Sequence, residues 1–127
     1  MSEQTLGAWG EEFAAEEYRR QGFRVLDKNY FNRRGKRIGE IDFIAVEDTE
    51  LVFVEVKTRT SDAFGTGADA VNIFKQRKLV KACKYFLLVH NEYKDFNYRI
   101  DVALVKTNLD RTITSVTILT NAVEDIQ

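Results

Sequence analysis

Two carboxylates and a lysine lie in apolar segments of the sequence, where charged side chains are unexpected. Asp42 interrupts the run Gly39–Val46, and Glu55 and Lys57 lie in the run Leu51–Thr58. Hard divalent cations such as Mg²⁺ take carboxylate oxygens as ligands. A nearby lysine can orient an attacking water or neutralise the charge of a phosphate. The residue types therefore predict a metal-dependent site for phosphodiester hydrolysis, centred on Asp42, Glu55 and Lys57.

The two apolar runs are expected to pair as a β-hairpin. A turn centred on Asp48 and Thr49 places Asp42 directly opposite Glu55, whereas a loop of odd length would make the two acids diagonal neighbours. Glu55 and Lys57 share one face because side chains alternate along a strand. Two facing carboxylates repel each other unless a cation lies between them. Mg²⁺ or Mn²⁺ is therefore the expected cofactor.

A third carboxylate is predicted to join this pair from the first helix. The segment Leu6–Gln21 has helical periodicity, and Glu11 falls on the inward stripe with Gly7, Ala14 and Tyr18. Glu11 is thus a further candidate catalytic residue and metal ligand. The alternative is that Asp42 and Glu55 form ordinary ion pairs with Lys57 or a nearby arginine. Asp101 also interrupts an apolar strand, and we expect Arg99 on the same face to satisfy it.

The remaining periodicities predict the elements that position these residues. An apolar stripe of Val71, Phe74, Ala82, Phe86 and Val89 indicates a helix between Asp69 and His90, and Cys83 is expected in its core-facing part. A helix between two strands usually makes a crossover to a parallel neighbour. The predicted fold class is α/β, an αβββαβ core with a mixed sheet and flanking helices, in one domain spanning residues 1–127. The predicted strands, besides the hairpin, are Phe23–Phe31, Tyr98–Thr107 and Ile113–Leu119.

Basic residues are concentrated in two segments although the net charge is only −1. Segment 19–37 has eight basic residues and one acid, and segment 57–84 has seven basic residues and two acids. Clustered basic residues favour binding to phosphates, although such runs also occur as solvated faces. The candidate nucleic-acid contacts are Lys75, Arg59, Arg33 and Arg34.

Membrane insertion and export are not expected. The N-terminal segment lacks a basic stretch followed by an apolar one, and the apolar run Tyr85–Val89 is too short to cross a bilayer. A single cysteine cannot form an internal disulfide. The expected location is the cytoplasm, with no membrane partner.

Five segments together resemble the YraN family of small bacterial proteins, within the restriction-endonuclease-like superfamily that includes Holliday junction resolvases. They are GAWGEEFAAEEYRRQGF, GEIDFIA, LVFVEVKTR, KQRKLVKA and RIDVALV, between Gly7 and Val105. The resemblance implies a nuclease-like fold, with Glu11, Asp42, Glu55 and Lys57 at the family's motif positions. The expected function is a Mg²⁺-dependent endonuclease acting on DNA, with branched or recombination intermediates as candidate substrates. The alternative is a non-catalytic nucleic-acid-binding or interaction module of the same fold, and a homodimer stays open.

Overall fold

The computed structural model describes residues 6–31, 40–60, 73–108, 110 and 112–123. Within these ranges, two α-helices and a short 3₁₀ helix accompany one sheet of five strands in the order β1-β2-β3-β4-β5. The elements are α1 (Leu6–Arg20), β1 (Arg24–Phe31), β2 (Glu40–Glu47), β3 (Glu50–Thr60), α2 (Ile73–Val89), the 3₁₀ helix Asn91–Tyr93, β4 (Asn97–Thr107) and β5 (Ile113–Leu119).

The sheet is mixed. β1 pairs with β2, β2 with β3 and β4 with β5 in antiparallel fashion, whereas β3 and β4 are parallel. The predicted crossover between parallel neighbours is therefore confirmed, and α2 lies in that connection. The α/β class and the αβββαβ order followed by a further strand are confirmed as well, and the arrangement is consistent with a restriction-endonuclease-like core.

The helices cover opposite faces of the sheet, so the central strands are apolar on both sides. On one face α1 contributes Ala14, Ala15 and Tyr18 to a core with Phe43, Ala45, Val52, Val54, Ala103 and Val105. On the other face α2 contributes Leu79, Val80, Ala82, Cys83 and Phe86 to a core that includes Ile44, Leu51, Phe53, Ile100 and Val102. Side chains along β3 alternate between these two apolar cores, and Glu55 and Lys57 are charged where apolar side chains would be expected.

The turn after α1 contains a glycine with a positive φ angle, a conformation that favours glycine. Gly22 has φ 102°, and the N–H groups of Gly22 and Phe23 donate to the carbonyls of Arg19 and Tyr18. A residue without a Cβ atom adopts this conformation at the end of a helix without steric cost. The turn directs the chain into β1 and sets the position of α1 over the sheet.

The prediction for α2 is correct in its middle and wrong at its end. Ala82, Cys83 and Phe86 are buried as predicted, but Val89 is 50% exposed because the last turn of the helix has passed the apolar core. The predicted start at Asp69 and the side chains of Val71 and Phe74 lie outside the described residues. No helix in the described part of the chain combines the length and apolarity needed to span a membrane.

Candidate functional site

The predicted hairpin register is confirmed. β2 and β3 pair in the predicted register from Glu47 with Glu50 to Phe43 with Val54, the pair next to Asp42 and Glu55. At that point the backbone N–H of Val56 donates to Oδ2 of Asp42 at 2.6 Å. The Asp42 side chain, held by a backbone donor of β3, is therefore fixed against the strand that carries Glu55.

Three carboxyl groups converge at this end of the hairpin. Glu11 of α1 and Glu55 of β3 both lie within hydrogen-bonding reach of the Asp42 carboxyl. Nζ of Lys57 is 3.7 Å from Oε1 of Glu55, and the side chains of both residues are no more than 14% exposed. The structure thus brings together all four residues that the sequence singled out, from one helix and two strands.

The environment of Asp42 favours its protonated form. Burial is the largest cause, the Val56 N–H opposes it, and the charge and hydrogen bond of Glu11 add to it, so that the pKa of Asp42 rises to about 7. A carboxyl beside a second carboxylate keeps its proton in this way when no other positive charge lies between them.

The donor set fits a hard divalent cation. Among the described residues, no three His, Cys, Asp or Glu side chains already enclose a metal position. Mg²⁺, however, is commonly held by one or two carboxylates and completes its shell with water and substrate phosphates. Asp42 and Glu55 supply that number, and Glu11 lies beside Asp42.

The charge on Asp42 is expected to lower the stability of the protein at alkaline pH. The pKa of the Asp42 carboxyl is about 7 in the folded chain, whereas the ordinary pKa of an aspartate, which applies in the unfolded chain, is 3.8. The folded state therefore binds more protons in that window, and the free energy of unfolding falls as pH rises through it. Asp42→Asn keeps the acceptor for the Val56 N–H but carries no charge. We expect the variant to be more stable than the wild type by about 2 kcal/mol at pH 8.

This prediction is checked by urea unfolding in EDTA at pH 8 and at pH 4. The gain in the free energy of unfolding should be largest at pH 8 and should shrink at pH 4, where the wild-type carboxyl is also protonated. Asp95→Asn, at an exposed position, serves as the control and should show no such pH-dependent gain. A destabilised Asp42→Asn protein at pH 8 would contradict the described electrostatics.

The position of Glu11 depends on a close approach between α1 and β3. A Cβ atom built on Gly10 would lie 1.9 Å from Oγ1 of Thr58. Oγ1 of Thr58 is buried without a hydrogen-bond partner among the described residues. The sequence analysis did not single out this contact. The available signal was the glycine itself, because glycine inside a helix costs about 1 kcal/mol relative to alanine.

Gly10→Ala is therefore expected to destabilise the protein although alanine is the better helix former. The clash with Thr58 costs about 1–3 kcal/mol and outweighs the gain in helix propensity. Gly7→Ala is the matched control, since nothing lies within 4 Å of a Cβ atom built there. In urea unfolding, Gly7→Ala should stabilise and Gly10→Ala should destabilise, with Gly10→Ala/Thr58→Ala partly restored. Equal gains from both alanines would refute the close approach.

The candidate nucleic-acid contacts are only partly within the described chain. Arg59 is exposed near the end of β3, and its Nη1 donates to the carbonyl of Thr58 at 2.9 Å. Lys75 lies in the first turn of α2, and its side chain is outside the described part. Arg33 and Arg34 lie outside the described residues. Arg59 is thus the one of these four candidates whose side chain the structure locates.

The side chain of Asp101 is paired with Arg99, as predicted from the sequence. Its side chain is fully buried and accepts hydrogen bonds from Nε of Arg99 at 3.0 Å and from the backbone N–H of Asn121 at 2.8 Å. The hydroxyl of Tyr18 is a third donor, at 2.6 Å, that the sequence analysis missed. Burial, followed by this hydrogen bond, raises the pKa of Tyr18. The network anchors the C-terminal half of α1 to β4.

Comparison with known proteins relates the chain to bacterial proteins of one family. The model of the uncharacterised protein family UPF0102 matches residues 10–105. A UPF0102 protein of Caldanaerobacter subterraneus is 37% identical over 123 residues, which cover 96% of this chain and 97% of the relative. A UPF0102 protein of Alkaliphilus oremlandii is 43% identical over 102 residues, covering 80% and 84%. A relative from Vibrio parahaemolyticus is 38% identical over 105 residues, covering 83% and 84%.

Proposed function

The chain belongs to the uncharacterised protein family UPF0102, in agreement with its resemblance to YraN, and from this premise we propose that it is a metal-dependent endonuclease acting on DNA. One observation carries the proposal. Three carboxyl groups, Glu11, Asp42 and Glu55, converge beside the buried ammonium of Lys57 at one end of the sheet. Branched or recombination intermediates are the substrates to try first, and the cytoplasm is the proposed location.

The chain's own residues divide the chemistry between them. Asp42 and Glu55, with Glu11, would hold Mg²⁺ or Mn²⁺. When bound, the ion would neutralise charge on the phosphate and make a water molecule more acidic. The Val56 N–H keeps one oxygen of Asp42 aligned against β3. Lys57 is buried, so its ammonium acts with little screening by water, and it is placed to orient the attacking water or to balance charge on the scissile phosphate.

A cleavage assay tests the proposal. Purified protein is incubated with linear, nicked and four-way DNA in Mg²⁺, in Mn²⁺ and in EDTA. Cutting of at least one substrate is expected with a divalent ion, and none is expected in EDTA. Material purified in parallel from cells without the expressed chain measures contaminating nuclease. Cleavage that is equal in that material and in the purified protein would overturn the proposal.

One observation favours the second candidate, a non-catalytic nucleic-acid-binding module. The ammonium of Lys57 pairs with Glu55, and the raised pKa of Asp42 favours its neutral form, which reduces the negative charge that would attract a divalent ion. This candidate predicts salt-dependent DNA binding that requires no divalent ion, with no cleavage of any substrate. The same assay, read as binding and as cutting, therefore separates the two candidates.

A further inference from the structure

Two cationic side chains are paired across the central parallel strands. The register of β3 and β4 sets Arg59 directly beside Lys106, near the C-terminal ends of both strands. Registered residues of neighbouring strands project from the same face, and the strands are about 4.8 Å apart. Leu104, two residues before Lys106, packs against the core on the α2 side. Arg59 and Lys106 therefore project from that same side of the sheet.

This pairing is electrostatically suited to an anion. An anion that contacts both side chains would gain from both positive charges. Arg59 is exposed and Lys106 is partly exposed, so a ligand from solvent can reach them. The bond from Arg59 Nη1 to the Thr58 carbonyl holds the guanidinium near the end of its strand. Arginine in particular recognises phosphate by paired hydrogen bonds.

The pair lies beside the acidic site rather than apart from it. Lys57 precedes Arg59 by two residues and projects from the same face, which places them about 7 Å apart along β3. A nucleic-acid strand whose scissile phosphate meets Lys57 would therefore present a neighbouring phosphate to Arg59. Lys106 was not among the contacts expected from the sequence, because only the parallel register brings it next to Arg59.

We propose that Arg59 and Lys106 form a phosphate-binding pair that holds the nucleic-acid backbone within one or two nucleotides of the acidic site. The inference rests on the proposed function for the identity of the ligand, a nucleic acid. It does not rest on cleavage. A binding measurement in a background that cannot cut therefore tests it by itself.

The experiment measures the salt dependence of DNA binding with the Glu55→Gln protein and a fluorescently labelled duplex. Fluorescence anisotropy gives the binding constant at several KCl concentrations. The slope of log K against log salt is negative, and each lost phosphate contact reduces its magnitude by about 0.9 on duplex DNA. Because the two side chains share one phosphate, we expect the double variant to lose about 0.9 from the magnitude of the slope and each single variant to lose part of that amount.

Lys94→Ala is the matched control, because Lys94 is exposed and precedes β4, whereas Lys106 lies near its C-terminal end. This control should keep the slope, and unchanged melting temperatures of all variants exclude misfolding as a cause. The pair would be overturned if the double variant kept the slope of the parent protein or if Lys94→Ala reduced the slope as much. It would also be overturned if the parent protein did not bind duplex DNA. Wild-type protein that binds with the expected slope but never cuts would overturn the proposed function and leave the pair standing.

Discussion

Glu55→Gln is expected to lower metal-dependent DNA cleavage by about 100-fold or more. The substitution keeps the size of the side chain and removes the charge that faces Asp42 and lies 3.7 Å from Nζ of Lys57. A cation between the two acids would lose one of its anionic ligands. Lys57 would lose the partner that holds its ammonium in place. The initial rate of cleavage, measured with Mg²⁺ and with Mn²⁺, reports the loss.

The matched control for this variant is Glu92→Gln, which makes the same substitution at an exposed position in the 3₁₀ helix. Its rate should equal that of the wild type. Thermal melting should show both variants folded, so that loss of activity is not loss of structure. If Glu55→Gln cuts at the wild-type rate, the acidic cluster does not perform the hydrolysis.

Asp101→Ala is expected to cost about 3–5 kcal/mol of unfolding free energy. The side chain is fully buried and accepts hydrogen bonds from Tyr18, Arg99 and Asn121. Its removal leaves the Arg99 guanidinium, which also pairs with Glu50, without its buried counter-charge. The Tyr18 hydroxyl, Nε of Arg99 and the Asn121 N–H would also lose their buried acceptor, and unsatisfied donors in a protein interior are costly.

Urea unfolding of Asp101→Ala beside Tyr18→Phe separates the charge from the hydrogen bond. Tyr18→Phe removes one donor and keeps the ring contacts with Phe23 and Phe43, so it should cost about 1 kcal/mol. A loss from Asp101→Ala no larger than that from Tyr18→Phe would show that the network is not a major support of the fold.

The hairpin could be predicted because local rules determine it. Two apolar runs flank the short polar segment at Asp48 and Thr49, and side-chain alternation then fixes which residues face each other. The acidic pair followed from that register alone. Glu11 could be placed because helical periodicity defines one inward stripe, on which Ala14 and Tyr18 are buried. Gly10, which flanks that stripe, allows the close approach of the helix to β3.

The long-range contacts could not be predicted from local patterns. Tyr18 and Asp101 are 83 residues apart, and no periodicity links a tyrosine of one helix to an aspartate of a distant strand. The pairing of Arg59 with Lys106 depends on the parallel register, which the crossover connection leaves undetermined in the sequence. The Val56 N–H donates to the side chain of Asp42, and strand patterns do not predict a hydrogen bond from a backbone donor to a side chain.

Anomalous diffraction from a crystal soaked in Mn²⁺ tests the central claim most directly. The crystal is soaked above pH 7. Below that pH the raised pKa of Asp42 would let a proton compete with the cation for the carboxylate. We expect an anomalous peak between the carboxylates of Asp42 and Glu55, at about 2.0–2.2 Å from an oxygen of each. A crystal of Asp42→Asn should lose or weaken the peak. Saturating Mn²⁺ that leaves no peak at these carboxylates in the wild-type crystal would contradict a metal-dependent site.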